Sequence, residues 1–85
     1  MIMHMTDDDI LEHLREILVE NFEISPEAVT LEARLYEELG LDSIDAVDLA
    51  IRVQQLTGKR IKPEDFKHVR SVGDVVATAR QLLAA

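Results

Sequence analysis

Ser43 stands between Asp42 and Asp45 in the run Gly40-Leu41-Asp42-Ser43-Ile44-Asp45-Ala46-Val47-Asp48-Leu49. Gly40 can take a left-handed conformation and so end a preceding short helix. Asp42 is a good N-cap, and Asp45, three residues on, makes a weaker relative of the capping box. Ser43 then falls at the first position of a new helix, outside the hydrogen-bond ladder and open to solvent. A primary hydroxyl so placed can be presented to another enzyme and accept a group from it. Catalysis by the chain itself finds no support. His4, His13 and His68 are scattered, match neither a triad nor a zinc spacing, and read as surface residues. Asp7-Asp8-Asp9 reads as helix-start electrostatics, not as a metal site.

The run Leu39-Gly40-Leu41-Asp42-Ser43-Ile44-Asp45 resembles the attachment site of acyl carrier proteins, where a serine hydroxyl carries 4′-phosphopantetheine. The family more often has leucine after the serine, and Ile44 is an accepted variant. Length and helix order fit as well, so the resemblance covers nearly the whole chain. It implies a covalent carrier, not an enzyme: 4′-phosphopantetheine on Ser43 beside Asp42, with acyl intermediates held as thioesters. The chain has no cysteine, so the thiol must come from that group. A phosphopantetheinyl transferase using coenzyme A would supply base and metal. The further partners implied are ketosynthase, ketoreductase, dehydratase and acyl-transferring enzymes of fatty-acid or polyketide type. Ser43 as an ordinary helix-start serine is the competing local reading. At the level of function its counterpart is an unmodified small helical adaptor that binds partners through the second helix.

Eighty-five residues make one small domain, 1–85, with a limited core and no disulfide to reinforce it. The formal charge is −8, unevenly spread: residues 1–51 hold 14 acidic and 2 basic side chains, and residues 52–70 hold 2 acidic and 6 basic. Such acidity repels phosphates, argues against nucleic acid, and favours partners with basic docking surfaces. Arg52, Lys59, Arg60, Lys62, Lys67 and Arg70 read as a solvated basic face near an acidic one. No apolar run is long enough to span a membrane, and Met1-Ile2-Met3-His4-Met5 is too short and uncharged for a signal peptide. A cytoplasmic monomer is the expectation.

The elements that must position Ser43 follow from caps and periodicity. Thr6 before three aspartates starts a first helix from about Asp7 to about Asn21, with Ile10, Leu11, Leu14, Ile17 and Leu18 at helical spacing. Ser25-Pro26-Glu27 starts a single turn. The long connection to Leu41 carries Ile24, Val29, Leu31, Leu35, Leu39 and Leu41 as core anchors, with a short helix at Arg34 to Leu39. The second helix runs from about Ser43 to about Leu56 and stops at Thr57-Gly58-Lys59. Pro63 introduces a short third helix around Glu64-Asp65-Phe66-Lys67. Ser71, with Asp74 three residues later, caps a last helix whose apolar positions are Val72, Val75, Val76, Ala79, Leu82 and Leu83. No segment alternates as a strand. The fold class is all-α, three main helices plus a short one, similar to the acyl carrier fold.

At roughly 100° per residue the second helix has two apolar faces. Ala46, Leu49, Ala50, Val53 and Leu56 form one; Ile44, Val47 and Ile51 lie nearly opposite; Asp45, Asp48 and Arg52 fill one flank. One face suffices for an edge helix of a bundle. Ile44, Val47 and Ile51, with Asp45 and Asp48, are therefore the expected partner-binding strip, as the resemblance also implies. Departures from the family narrow the role. Gln54 and Gln55 stand where acidic residues are common, and Phe66 stands where a smaller side chain is common. In the family an acyl chain can retreat between the second and third helices. Phe66 would restrict that cavity, stack against an unsaturated chain, or serve as plain core. The pattern looks more like dedicated carriers of bacterial secondary pathways, such as aryl polyene clusters, than a housekeeping fatty-acid carrier. Leu41, at the second glycine of the usual Gly-Gly lead-in, argues against a peptidyl carrier.

Overall fold

The computed structural model describes residues 5–62, 66 and 68–84. Three α-helices, α1 (Asp7–Phe22), α2 (Ser43–Thr57) and α3 (Val72–Ala84), and a 3-10 turn at Pro26–Ala28 are its regular elements. All three helices start with the same device. Thr6 and Asp9, Asp42 and Asp45, and Ser71 and Asp74 each satisfy one another's backbone N–H groups reciprocally. Aspartate does at the third helical position what glutamate does in the usual capping box. Each box also sets a carboxylate at the positive end of the helix dipole.

The helices bury one face each. Ile10, Leu14 and Leu18 recur every four residues on α1; Leu49 and Val53 come from α2; Val72, Val75, Val76 and Ala79 come from α3. A fully buried side chain of this size contributes about 1.5–3 kcal/mol of transfer free energy, so no single helix can be peeled off cheaply. α1 packs against both α2 and α3, and an exposed ion pair, Arg80 to Asp7 at 3.2 Å, links the last helix to the start of the first.

The long connection between α1 and α2 is as much core as the helices are. Val29, Ala33, Leu35, Leu39 and Leu41 are buried. Arg15 on α1, which also pairs with Glu12, donates to the Pro26 and Val29 carbonyls at 3.3 and 2.9 Å. Further along, the Leu35 N–H donates to the Arg70 carbonyl (2.9 Å), Val72 to Ala33 (2.9 Å) and Gly73 to Leu31 (2.8 Å). At Gly73 a Cβ would sit 3.0 Å from the Leu31 carbonyl oxygen, so only glycine admits this approach without a shift.

That stitching corrects two expectations. Arg34 to Leu39 forms turns, not a short helix. Arg34 is drawn into an isolated antiparallel bridge with Ser71, and its extended backbone sends Ala33 and Leu35 to the core on alternate positions. Leu31, expected as an anchor, is exposed, its carbonyl being the part of the residue that the fold uses. Of the expected short third helix, residues 63–65 and 67 lie outside the described residues; Phe66 is helical and half-buried. His4 also lies outside them.

Asp74 accepts from the Arg70 and Ser71 backbone N–H groups at 3.0 and 3.1 Å. The Arg70 N–H is the largest influence holding its carboxyl below the usual range; partial burial opposes it, and the bonds to Ser71 add to it. A carboxyl depressed on folding stabilises above its unfolded pKa, and the contribution is lost as pH falls through the folded one. Asp74 is exposed, so Asp74→Ala should cost only about 0.3–1 kcal/mol at neutral pH. The gap to wild type should narrow as pH falls below about 4. Urea denaturation across a pH series measures both; a gap that stays constant into acid would contradict the assignment.

Candidate functional site

The start of α2 is built residue by residue. Gly40 takes the left-handed conformation (φ 72°) with open space around it. Leu41 then turns into the core and donates its N–H to the Leu35 carbonyl at 3.0 Å. Asp42 stays extended as N-cap; its Oδ1 accepts the Asp45 N–H at 2.9 Å, and Asp45 Oδ2 accepts the Asp42 N–H at 3.2 Å. Both bonds of the box are made, with aspartate in the place of the usual glutamate. Ser43 is the first helical residue and is exposed. Leu41 on one side and Leu49 on the other are pinned in the core, so the serine between them cannot turn inward.

Ile44, Val47 and Ile51 are 77%, 62% and 46% exposed, the outward strip that the helical wheel anticipates. The flanking carboxylates, both half-buried, are already engaged. Asp45 serves the capping box. Asp48 Oδ1 lies 3.5 Å from Arg52 Nε, a buried nitrogen with no hydrogen-bond partner, so the ion pair is its compensation among the described residues.

On the other side of the strip an open groove of about 350 Å³ runs from Ser43. Ser43, Ala46, Val47, Ala50, Ile51 and Gln54 of α2 form one wall; Tyr36 comes from the long connection; Ile61, Lys62 and Phe66 come from the chain after α2. Ala46 and Ala50, expected on the buried face, are half-buried and line the groove. Methyl side chains there leave unfilled the space that larger residues would close. Phe66 both lines the groove and packs on the core. Of the histidines, His13 and His68 are exposed and neither lines the groove. Among the described residues no cluster of His, Cys, Asp or Glu is placed to hold a metal ion, and no helix is long and apolar enough to cross a membrane.

Three groove residues, Gln54, Ile61 and Tyr36, are given no structural role by the sequence pattern. Gln54 Oε1 accepts the Ile61 N–H at 2.7 Å and so fixes the chain after α2 against the helix. Its position eleven residues after Ser43, on the same flank as Val47 and Ala50, is the signal that was available. Tyr36 sits in a turn with no periodicity to point it anywhere.

A family profile described as "Phosphopantetheine attachment site" matches residues 12–79. "Acyl carrier protein 2" of Ralstonia nicotianae is 63% identical over 81 residues, covering 95% of this chain and all of that relative. "Meromycolate extension acyl carrier protein" of Mycolicibacterium smegmatis is 36% identical over 80 residues, 94% of this chain and 81% of the relative. The crystal structure of an acyl carrier protein from Thermotoga maritima superposes with a TM-score of 0.83 at 29% identity, over 98% of this chain and 96% of that one.

The geometry separates the roles of two neighbours. Asp42→Ala removes an N-cap and should cost about 0.5–2 kcal/mol in urea denaturation. Ser43→Ala changes an exposed first-turn side chain and should stay within about 0.5 kcal/mol of wild type. An equal loss at Ser43 would make the serine a structural residue of the helix start.

Proposed function

The chain belongs to the acyl carrier protein family, non-catalytic proteins that hold acyl intermediates on 4′-phosphopantetheine, and on that premise we propose that Ser43 is the residue that carries the group. The observation that carries the proposal is an exposed serine on a capped helix start, at the end of an apolar groove. The residues present suit such a group. The hydroxyl is open to an incoming enzyme, and the first turn of α2 offers the positive end of a helix dipole to a phosphodiester. When bound, the group supplies a thiol, whose thioesters are better acyl donors than oxygen esters and acidify the neighbouring carbon.

The chain's own residues do the rest by position. Asp42 fixes the backbone at the serine through the capping box, so the attachment point is rigid while what hangs from it is free to move. Ile44, Val47 and Ile51 give partner enzymes an apolar strip, and Asp45 and Asp48 give basic side chains something to pair with. The partners we assign to this surface are the phosphopantetheinyl transferase and the ketosynthase, ketoreductase, dehydratase and acyl-transferring enzymes of fatty-acid or polyketide type. Asp48 reaches a partner's cation by exchanging it for Arg52, so docking here trades one ion pair for another.

Ser43→Ala should abolish the mass increase seen on incubation with transferase and coenzyme A; a variant that still gains the phosphopantetheine mass overturns the assignment. If wild type gains none either, a helical adaptor becomes the better description. Docking has its own test. Ile44→Ala removes an exposed side chain and should leave stability within about 0.5 kcal/mol, yet raise the KM of transferase or ketosynthase for the carrier several-fold. Unchanged KM would move docking to another face.

A further inference from the structure

The sequence holds three aromatic residues, Phe22, Tyr36 and Phe66. Phe22 packs on the core. The other two line the groove that runs from Ser43, and they come from separate parts of the chain, one before α2 and one after it. Tyr36 is 45% exposed and is not among the residues packed on the core, so core burial does not explain its ring. The remaining apolar wall is aliphatic: Ala46, Val47, Ala50, Ile51 and Ile61.

Resting on the attachment of cargo at Ser43, we propose that Tyr36 and Phe66 make this groove selective for planar, conjugated or aromatic acyl groups over saturated chains of the same carbon count. Burial against the aliphatic wall rewards any apolar chain in proportion to area and discriminates little. Rings add an interaction with geometry: offset or edge-on packing favours another π system beyond its buried area. Conformational entropy acts in the same direction. A saturated chain gives up rotamer freedom to lie along an open groove, whereas a conjugated one is already extended and stiff and gives up less. The tether makes such modest differences count, because cargo held at the mouth of the groove meets it at high effective concentration.

The test uses the full chain, converted to the phosphopantetheine form and loaded with cinnamoyl or nonanoyl groups, nine carbons each. Intact mass verifies loading first, with Ser43→Ala as control. The readout is hydroxylamine cleavage of each thioester, divided by the rate for the same acyl group on free pantetheine, which removes intrinsic reactivity. The cinnamoyl group should be protected roughly three- to tenfold more than the nonanoyl group. Tyr36→Leu and Phe66→Leu, which keep apolar bulk, should each erode that preference. Equal protection, or better protection of nonanoyl, in the wild-type carrier overturns the proposal without need of any variant. So does a preference that survives both substitutions together. Loading that persists in Ser43→Ala removes the attachment reading itself, and this inference falls with it.

Discussion

The reciprocal bond between Asp42 and Asp45 sets where α2 begins, and the useful surface of the molecule takes its phase from that point. A helix turns by about 100° per residue. Starting one residue earlier or later would carry Ser43 toward the core or toward the charged flank, and would rotate Ile44, Val47 and Ile51 out of register with it. The box removes that freedom. Gly40, left-handed just upstream, and Leu41, buried between them, feed the chain into the box from a fixed direction. Serine, strip and groove are consequences of one capped start.

Holding that start in place is costly for a chain of this size, and the long connection shares the task. Five of its side chains are buried, and its backbone is bonded to the entry of α3 through Leu31, Ala33 and Leu35. One end of α2 is thereby fixed to the rest of the bundle. The other end is fixed by Gln54, which holds Ile61, and by Gly58, left-handed at the C-cap. Between the two anchors α2 can leave most of its outer surface bare. The acidic first half of the chain does not act as a diffuse charge alone: Asp42 and Asp45 are spent on the cap and Asp48 on Arg52. What an approaching basic surface meets is a set of carboxylates already fixed in geometry.

Much of this was legible in the sequence because local rules decide it. Thr6, Asp42 and Ser71 mark helix starts by side-chain chemistry, and the apolar spacing of α1 and α3 gives their buried faces directly. The expected ends of α1 and α2 differ from the observed ones by a single residue. The failures lie where a distant partner decides. Arg34 to Leu39 has the composition of a short helix, but Arg34 pairs with Ser71 across 37 positions and the residues after it form turns instead. Leu31 reads as an anchor until its carbonyl is claimed by Gly73. Ala46 and Ala50 count as apolar on a wheel, which cannot say that their small size is what opens the groove. Tyr36 belongs to that groove only through the path of the connection, and Gln54 reads as a missing carboxylate, whereas its amide oxygen is what holds Ile61.

The central claim is that the group carried by this family sits at the capped start of α2. Peptide mapping by tandem mass spectrometry of the wild-type protein, after expression alongside a phosphopantetheinyl transferase, tests it most directly. The pantetheine-ejection fragments should come from the peptide spanning Ser43, and fragment ions should place the added mass on that residue. A modified peptide that maps to another hydroxyl, such as Ser25, Thr57 or Ser71, would contradict it.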